Sequence, residues 1–247
     1  VISKIREFFA GQKSKKIDKN IALVKNPKAI KDDRWAALNY FSDFEDASVA
    51  VPALLLRFNF SLEHGINDTR EKELAMEGIL KHKDQALPFV TKHLNETDRI
   101  AWPLKILYKI GTEEQIVETL KGALKFGDVS FDRSAVDKNY DILCYLREHK
   151  LPGYTGKIGH YLTDPDERVR FAAVEVLIEQ ADQSIPALLE RFISDESSEN
   201  RRIRKSVIDA FASRKWKLAR PEVFSSELIT DGVFLTKDAT IEVRGGH

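Results

Sequence analysis

Four things are scarce in this chain of 247 residues, and each scarcity closes a class of function. Cysteine occurs once, at Cys144, so no internal disulfide is possible and a reducing, cytoplasmic setting is expected. In the apolar stretch Tyr140-Asp141-Ile142-Leu143-Cys144-Tyr145-Leu146 that thiol is expected to be buried and inert. Long hydrophobic runs are missing: none approaches the roughly 20 residues of a membrane helix, and the opening VISKIREFF is too charged for a signal-peptide core. Net charge is missing too. The 39 basic and 39 acidic residues cancel, which disfavours a dedicated nucleic-acid binder. Finally, catalytic constellations are missing. Gly153-Tyr154-Thr155-Gly156 lacks the lysine of a phosphate loop, no nucleophile elbow occurs, and His64, His82, His93, His149, His160 and His247 show no metal-ligand spacing. The expectation is a protein that is not an enzyme, with no metal and no cofactor.

What is present is a repeat. Ala75–Leu94 and Ala173–Phe192 align without a gap, matching Ala75 with Ala173, Glu77 with Glu175, Asp84 with Asp182, Gln85 with Gln183 and Pro88 with Pro186. A third copy runs from Val51-Pro52 to Arg57-Phe58, against Ile185-Pro186 to Arg191-Phe192. The step is 36 residues from Pro52 to Pro88 and 34 from Arg168 to Arg202. Each copy reads as two amphipathic helices. Asp164 is expected to cap the first helix, with Pro165 at its first position and Asp166 and Glu167 in its first turn. Ser184-Ile185-Pro186 opens the second. Less regular copies fill Ile100–Leu120 and Val136–Leu162. One such pair cannot hide its apolar stripe alone, so neighbours stack into a continuous core. The predicted fold is a mostly all-α solenoid of about six helix pairs over residues 25–216. A basic helical segment, 1–24, divided by Gly11, precedes it. A cap, 217–247, follows, with a short helix at Pro221–Leu228 and a β-hairpin of Gly232–Thr236 and Thr240–Arg244.

The run Asp-Pro-Asp-Glu-Arg-Val-Arg-Phe-Ala-Ala-Val-Glu-Val-Leu at 164–177 resembles the first helix of a HEAT repeat of the bacterial phycobilin-lyase type. Val169-Arg170-Ala172-Ala173 carries that pattern fully; Ile203-Arg204 and Arg34-Ala36-Ala37 carry it in part. The resemblance covers residues 28–216 and is weakest between 98 and 162. It implies an α-solenoid whose second helices line the concave side, and no particular activity. The repeated His-Glu dyads of HEAT-like di-iron hydroxylases are absent, since Glu63-His64 stands alone. Neutral charge and three tryptophans disfavour a HEAT-like glycosylase, and bilin lyase activity has only the fold in its favour.

Within that frame the second helices carry the candidate contacts. Registered on their prolines, they put Arg57, His93 and Arg191 at one position, Lys92 beside it, and His160 and Tyr161 at the matching place in the fourth pair. The expectation is a mildly basic ladder that holds a protein or an extended peptide. The first-helix arginines Arg34, Arg170 and Arg204 are expected to tie neighbouring helix ends. Ala36-Ala37 and Ala172-Ala173 are expected to permit close helix approach, with Trp35 and Phe171 packed beside them. Two long insertions, Phe58–Thr69 and Lys125–Val136, are further candidates for binding. An alternative is contact with an anionic lipid or nucleic acid through residues 1–31, which hold nine Lys/Arg against Glu7 and Asp18.

Overall fold

Apolar residues recur at helical spacing through most of the chain, and a computed structural model, which describes residues 14–127, 132–180, 182–224 and 232–243, turns that spacing into helices. The N-terminal residues 1–13, with the proposed break at Gly11, lie outside the described residues, as do 128–131 of the second insertion and 225–231 of the cap. Contacts divide the chain into two compact units, 1–123 and 124–247.

In the N-terminal unit, α1 covers residues 14–24. Three pairs follow: α2 (Lys31–Ser42) with α3 (Ala47–Leu55), α4 (Gly65–Leu80) with α5 (Leu87–Glu96), and α6 (Ala101–Ile110) with α7 (Glu113–Ala123). The first helices pack in series, α2 on α4 and α4 on α6, while α5 contacts both α3 and α7. Leu38, Phe41, Leu54, Ile79, Leu94, Leu107 and Leu120 form the fully buried core. The close approach of α2 and α4 occurs at Gly78, where an added Cβ would collide with the Ser42 side chain and come within 2.8 Å of Leu54 Cδ1. Ala37 is buried as expected, but Ala36 and Trp35 face outward, one helical step off the packed stripe.

In the C-terminal unit, α8 (Arg133–Leu146) pairs with the short α9 (Thr155–Gly159), and α10 (Glu167–Ile178) with α11 (Ile185–Leu189). The second helix of each pair tightens into a 3-10 turn, His160–Thr163 and Glu190–Phe192, as α3 does at Leu56–Asn59. The first helices again stack in series, α8 on α10 and α10 on α12 (Arg201–Arg214). After α12 the described residues hold a 3-10 turn, Pro221–Val223, and an antiparallel hairpin of β1 (Val233–Leu235) and β2 (Ile241–Val243). β2 packs on α12, and Val233 and Ile241 are buried. A hairpin alone is marginal in water, and this contact supplies its missing apolar face.

Helix starts follow side-chain chemistry, with two departures from expectation. Asp166, not Asp164, caps α10 by accepting from the Arg168 amide at 2.8 Å; Asp164 accepts from the Asp166 amide at 2.9 Å, holding the turn before the cap. Pro88 and Pro186 sit in the first turns of α5 and α11. Pro52 instead lies inside α3, because Asp46 starts that helix upstream by accepting from the Ser48 amide at 2.9 Å. A third correction concerns Cys144, which is exposed: it lies on the outer side of α8, while Ile142, Leu143 and Leu146 face the core. Phe171 is half-buried beneath the Arg202 guanidinium, 3.7 Å from its ring centre. No helix among the described residues is long and apolar enough to cross a membrane.

Candidate binding groove in the C-terminal unit

The arginines of the first helices hold the chain to itself. Arg34 donates through Nη1 to the Ala29 carbonyl at 2.9 Å, closing the loop before its own helix, and through Nε and Nη2 to both oxygens of Glu71 on α4. Arg170 repeats the device: Nη1 donates to the carbonyls of Asp164 and Pro165, while Nε and Nη2 reach Asn200 Oδ1 at the start of α12. Arg204 donates through Nε to the Ile193 carbonyl at 2.9 Å. Each guanidinium satisfies carbonyls that a loop would otherwise leave bare.

The six proposed contact residues divide between the units. Arg57, Lys92 and His93 belong to the N-terminal unit, and His160, Tyr161 and Arg191 to the C-terminal one. Arg57 is not a surface residue: it is 0% exposed. Its Nε donates to Glu71 at 2.7 Å, its Nη2 to Asp68 at 2.7 Å and its Nη1 to the Phe60 carbonyl at 3.2 Å. Glu71 thus lies between Arg34 and Arg57, and Asp68 between Arg57 and Lys72. Burial alone would raise the Asp68 pKa, but hydrogen bonds from Lys72, Arg57 and the Leu62 amide outweigh it and hold the carboxyl below its usual value. The insertion at Phe58–Thr69 is pinned by this cluster, which gives its length a structural use. Lys92 is exposed on α5, 3.9 Å from Glu96, and His93 beside it is half-buried.

The other three residues border a groove. The Phe126 ring lies 5.3 Å from Tyr161 and 6.3 Å, edge-on, from His160. Tyr161 is buried and its hydroxyl donates to the Lys125 carbonyl at 2.9 Å; burial, then the nearby Tyr154 and Asp164, push its phenol up. These aromatics line a depression of about 350 Å³ that ends at Thr163, Asp164 and Pro165. The same three residues wall a second depression of about 570 Å³. Arg191 stands there, exposed, donating to the Leu162 carbonyl at 2.7 Å. Pro165, Arg170 and Glu199 are then shared with a third depression of about 1000 Å³, which reaches Ile208 on α12 and Val233 and Val243 on the hairpin.

Sequence reading missed the wall of that third depression. Arg201, Arg202, Arg204 and Lys205 all line it, on the first turns of α12. Arg201, Arg204, Lys205 and Ile208 are spaced i, i+3, i+4 and i+7, which sets three cations and one apolar residue along a single helix face. The signal was available: residues 201–220 hold eight Lys/Arg against Asp209 alone. The neutral total of the whole chain hides it. No group of histidine, cysteine and carboxylate side chains suited to a metal occurs among the described residues. No protein-family model, no curated protein and no solved structure matches this chain.

Proposed function

We propose that this protein is a non-enzymatic, HEAT-like helical-repeat binding module that takes an extended segment of a partner protein along the groove of its C-terminal unit. The observation that carries this reading is a row of three neighbouring depressions that share lining residues, with His160, Tyr161 and Arg191 along them. Recurring helix pairs in both units and the repeated first-helix arginine bracket support the HEAT-like assignment. A groove of this kind suits a peptide better than a rigid globular partner, because an extended chain follows a series of shallow pockets with alternate side chains. Selection of peptides from a random display library against the full chain tests it. Selected peptides should lose affinity on His160→Ala combined with Arg191→Glu, both exposed positions; peptides that bind the double variant unchanged reject the groove. A second reading, contact with an anionic surface through residues 1–31, has Lys15 and Lys19 exposed on α1 in its favour. Steep loss of vesicle binding with salt, abolished by Lys15→Glu with Lys19→Glu, would support it.

A further inference from the structure

The start of α12 is electrostatically odd. A helix N-terminus carries partial positive charge and favours acids. Here the first turn holds Arg201, Arg202 and Arg204 and no acid, and Asn200 before it makes no side-chain cap hydrogen bond. Local conflict of this kind, only partly remedied within the fold, is a mark of a functional surface. The internal remedies are partial. Arg202 lies over Phe171 and 3.4 Å from Glu167. Arg201 and Lys205 are exposed and form no hydrogen bond or ion pair among the described residues. Arg204 uses Nε alone; its Nη2 is shut from water and has no acceptor among the described residues.

Resting on the groove reading above, we infer that this widest part of the groove anchors an acidic side chain of the partner segment together with an apolar side chain two residues away. The acidic group sits against Arg201 and Lys205, where it neutralises cations that the fold leaves open. The apolar side chain sits between Ile208 and the hairpin, where Val233 is buried and Val243 is 46% exposed. The spacing follows from geometry. Lys205 and Ile208 are about 4.5 Å apart along the helix axis, and Arg201 and Ile208 about 10 Å. In an extended peptide, residues i and i+2 point the same way and lie about 7 Å apart, between those limits. A depression of about 1000 Å³ holds two side chains and their backbone, far more than an inorganic anion fills. Nucleic acid fits less well: Glu167, Glu199 and Asp209 share the lining, and no aromatic ring among the described lining residues offers a base a stacking platform.

Fluorescence anisotropy of labelled peptides with the full chain tests the anchor. The probes are Ser-Glu-Glu-Ser-Leu-Ser, the same peptide with both acids replaced by glutamine, the same peptide with leucine replaced by serine, and a single-stranded oligothymidine. The acidic, leucine-bearing peptide should bind best, weaken with salt, and lose at least about tenfold in affinity on Arg201→Glu with Lys205→Glu. Both positions are exposed, and an acid there favours the helix start, so the variant should keep its helical circular dichroism. Unchanged binding by that variant overturns the anchor while leaving the groove standing. The glutamine peptide binding as well as the acidic one, with dependence on His160 and Arg191, does the same. Failure of every peptide overturns both. Oligothymidine binding more tightly than any peptide, with loss in the double variant, replaces the peptide by a nucleic acid.

Discussion

Arg57 and Arg191 occupy the same place in the repeat, at the end of a second helix, and the two units use them in opposite ways. Arg57 is fully buried against two carboxylates; Arg191 is exposed and donates to a backbone carbonyl. The cause lies in the helix that follows each. The packed stripe of α4 includes Glu71, Lys72, Ala75, Gly78 and Ile79, and that of α12 shows the same spacing at Ile203, Arg204, Val207, Ala210 and Phe211. Glu71 therefore corresponds to Ile203, and Asp68 to Asn200. The N-terminal unit meets its arginine with acids at these places. The C-terminal unit meets it with an apolar residue and an amide, and its cations stay open to the groove. The fate of an arginine is thus set by the facing helix and not by its own position in the pattern.

The hardest test of this contrast makes the first unit resemble the second. Glu71→Ile strands Arg34 and Arg57 in the interior without their shared carboxylate, and should lower unfolding free energy by about 3–5 kcal/mol. Chemical denaturation of the full chain measures it; a loss below about 1 kcal/mol would show that the cluster is not holding α2, α4 and the end of α3 together. Next in size is the pair Arg57→Met and Arg191→Met. The first leaves Glu71 and Asp68 short of a donor and should cost about 1–3 kcal/mol; the second should stay within about 1 kcal/mol, because Arg191 is exposed and gives up one hydrogen bond to a carbonyl and no ion pair. Equal costs would break the comparison.

Acid separates the wild type from an Asp68 variant. The folded pKa of Asp68 lies below the ordinary value, so its contribution to stability is complete above about pH 4 and is lost as pH falls through the folded value. Protonation removes one of the two carboxylate partners of buried Arg57. Stability should decline on that acid arm, and Asp68→Asn should be less stable near neutrality and show a shallower decline. Identical acid arms for the two proteins, followed by denaturation midpoints from pH 6 to pH 2.5, would contradict the assigned ion pairs.

The features legible in sequence were those set by local chemistry. The hairpin strands fall within one residue of the expected Gly232–Thr236 and Thr240–Arg244, because β-branched alternation and the Lys237-Asp238-Ala239 turn are short-range signals. The tie from Arg170 to the start of α12 and from Arg204 to the end of the preceding helix pair is legible from their repeat positions, while the bonds of Arg34 and Arg170 to the carbonyls of their own entry loops are not. What escaped depends on a facing element. Helical spacing leaves Cys144 one step off the stripe of Ile142, Leu143 and Leu146, and only the packing of α8 on α10 shows which side is inward. Arg57 reads as a contact from its own repeat position alone, because the Asp68 and Glu71 carboxylates that bury it belong to the next repeat. The basic face of α12 is hidden by the neutral total of the whole chain and stands out only when charge is counted helix by helix.

The smallest effect is also the most discriminating. In the N-terminal unit, removing an acid should destabilise; at the start of α12, adding one should do the reverse. Arg201→Glu replaces a cation at the positive end of the helix by an acid, next to Arg202, Arg204 and Lys205, in a position exposed to water. Relief of repulsion and a favourable dipole interaction should raise stability by about 0.3–1 kcal/mol at low ionic strength, and the gain should shrink as salt is added. The same variant should bind the acidic peptide less well. A gain in stability coupled to a loss in binding identifies Arg201 as a residue held against the fold's own electrostatic preference. A loss in stability would mean that Arg201 makes a contact the fold needs, and the contrast between a neutralised N-terminal unit and an open C-terminal one would fail at its most exposed point.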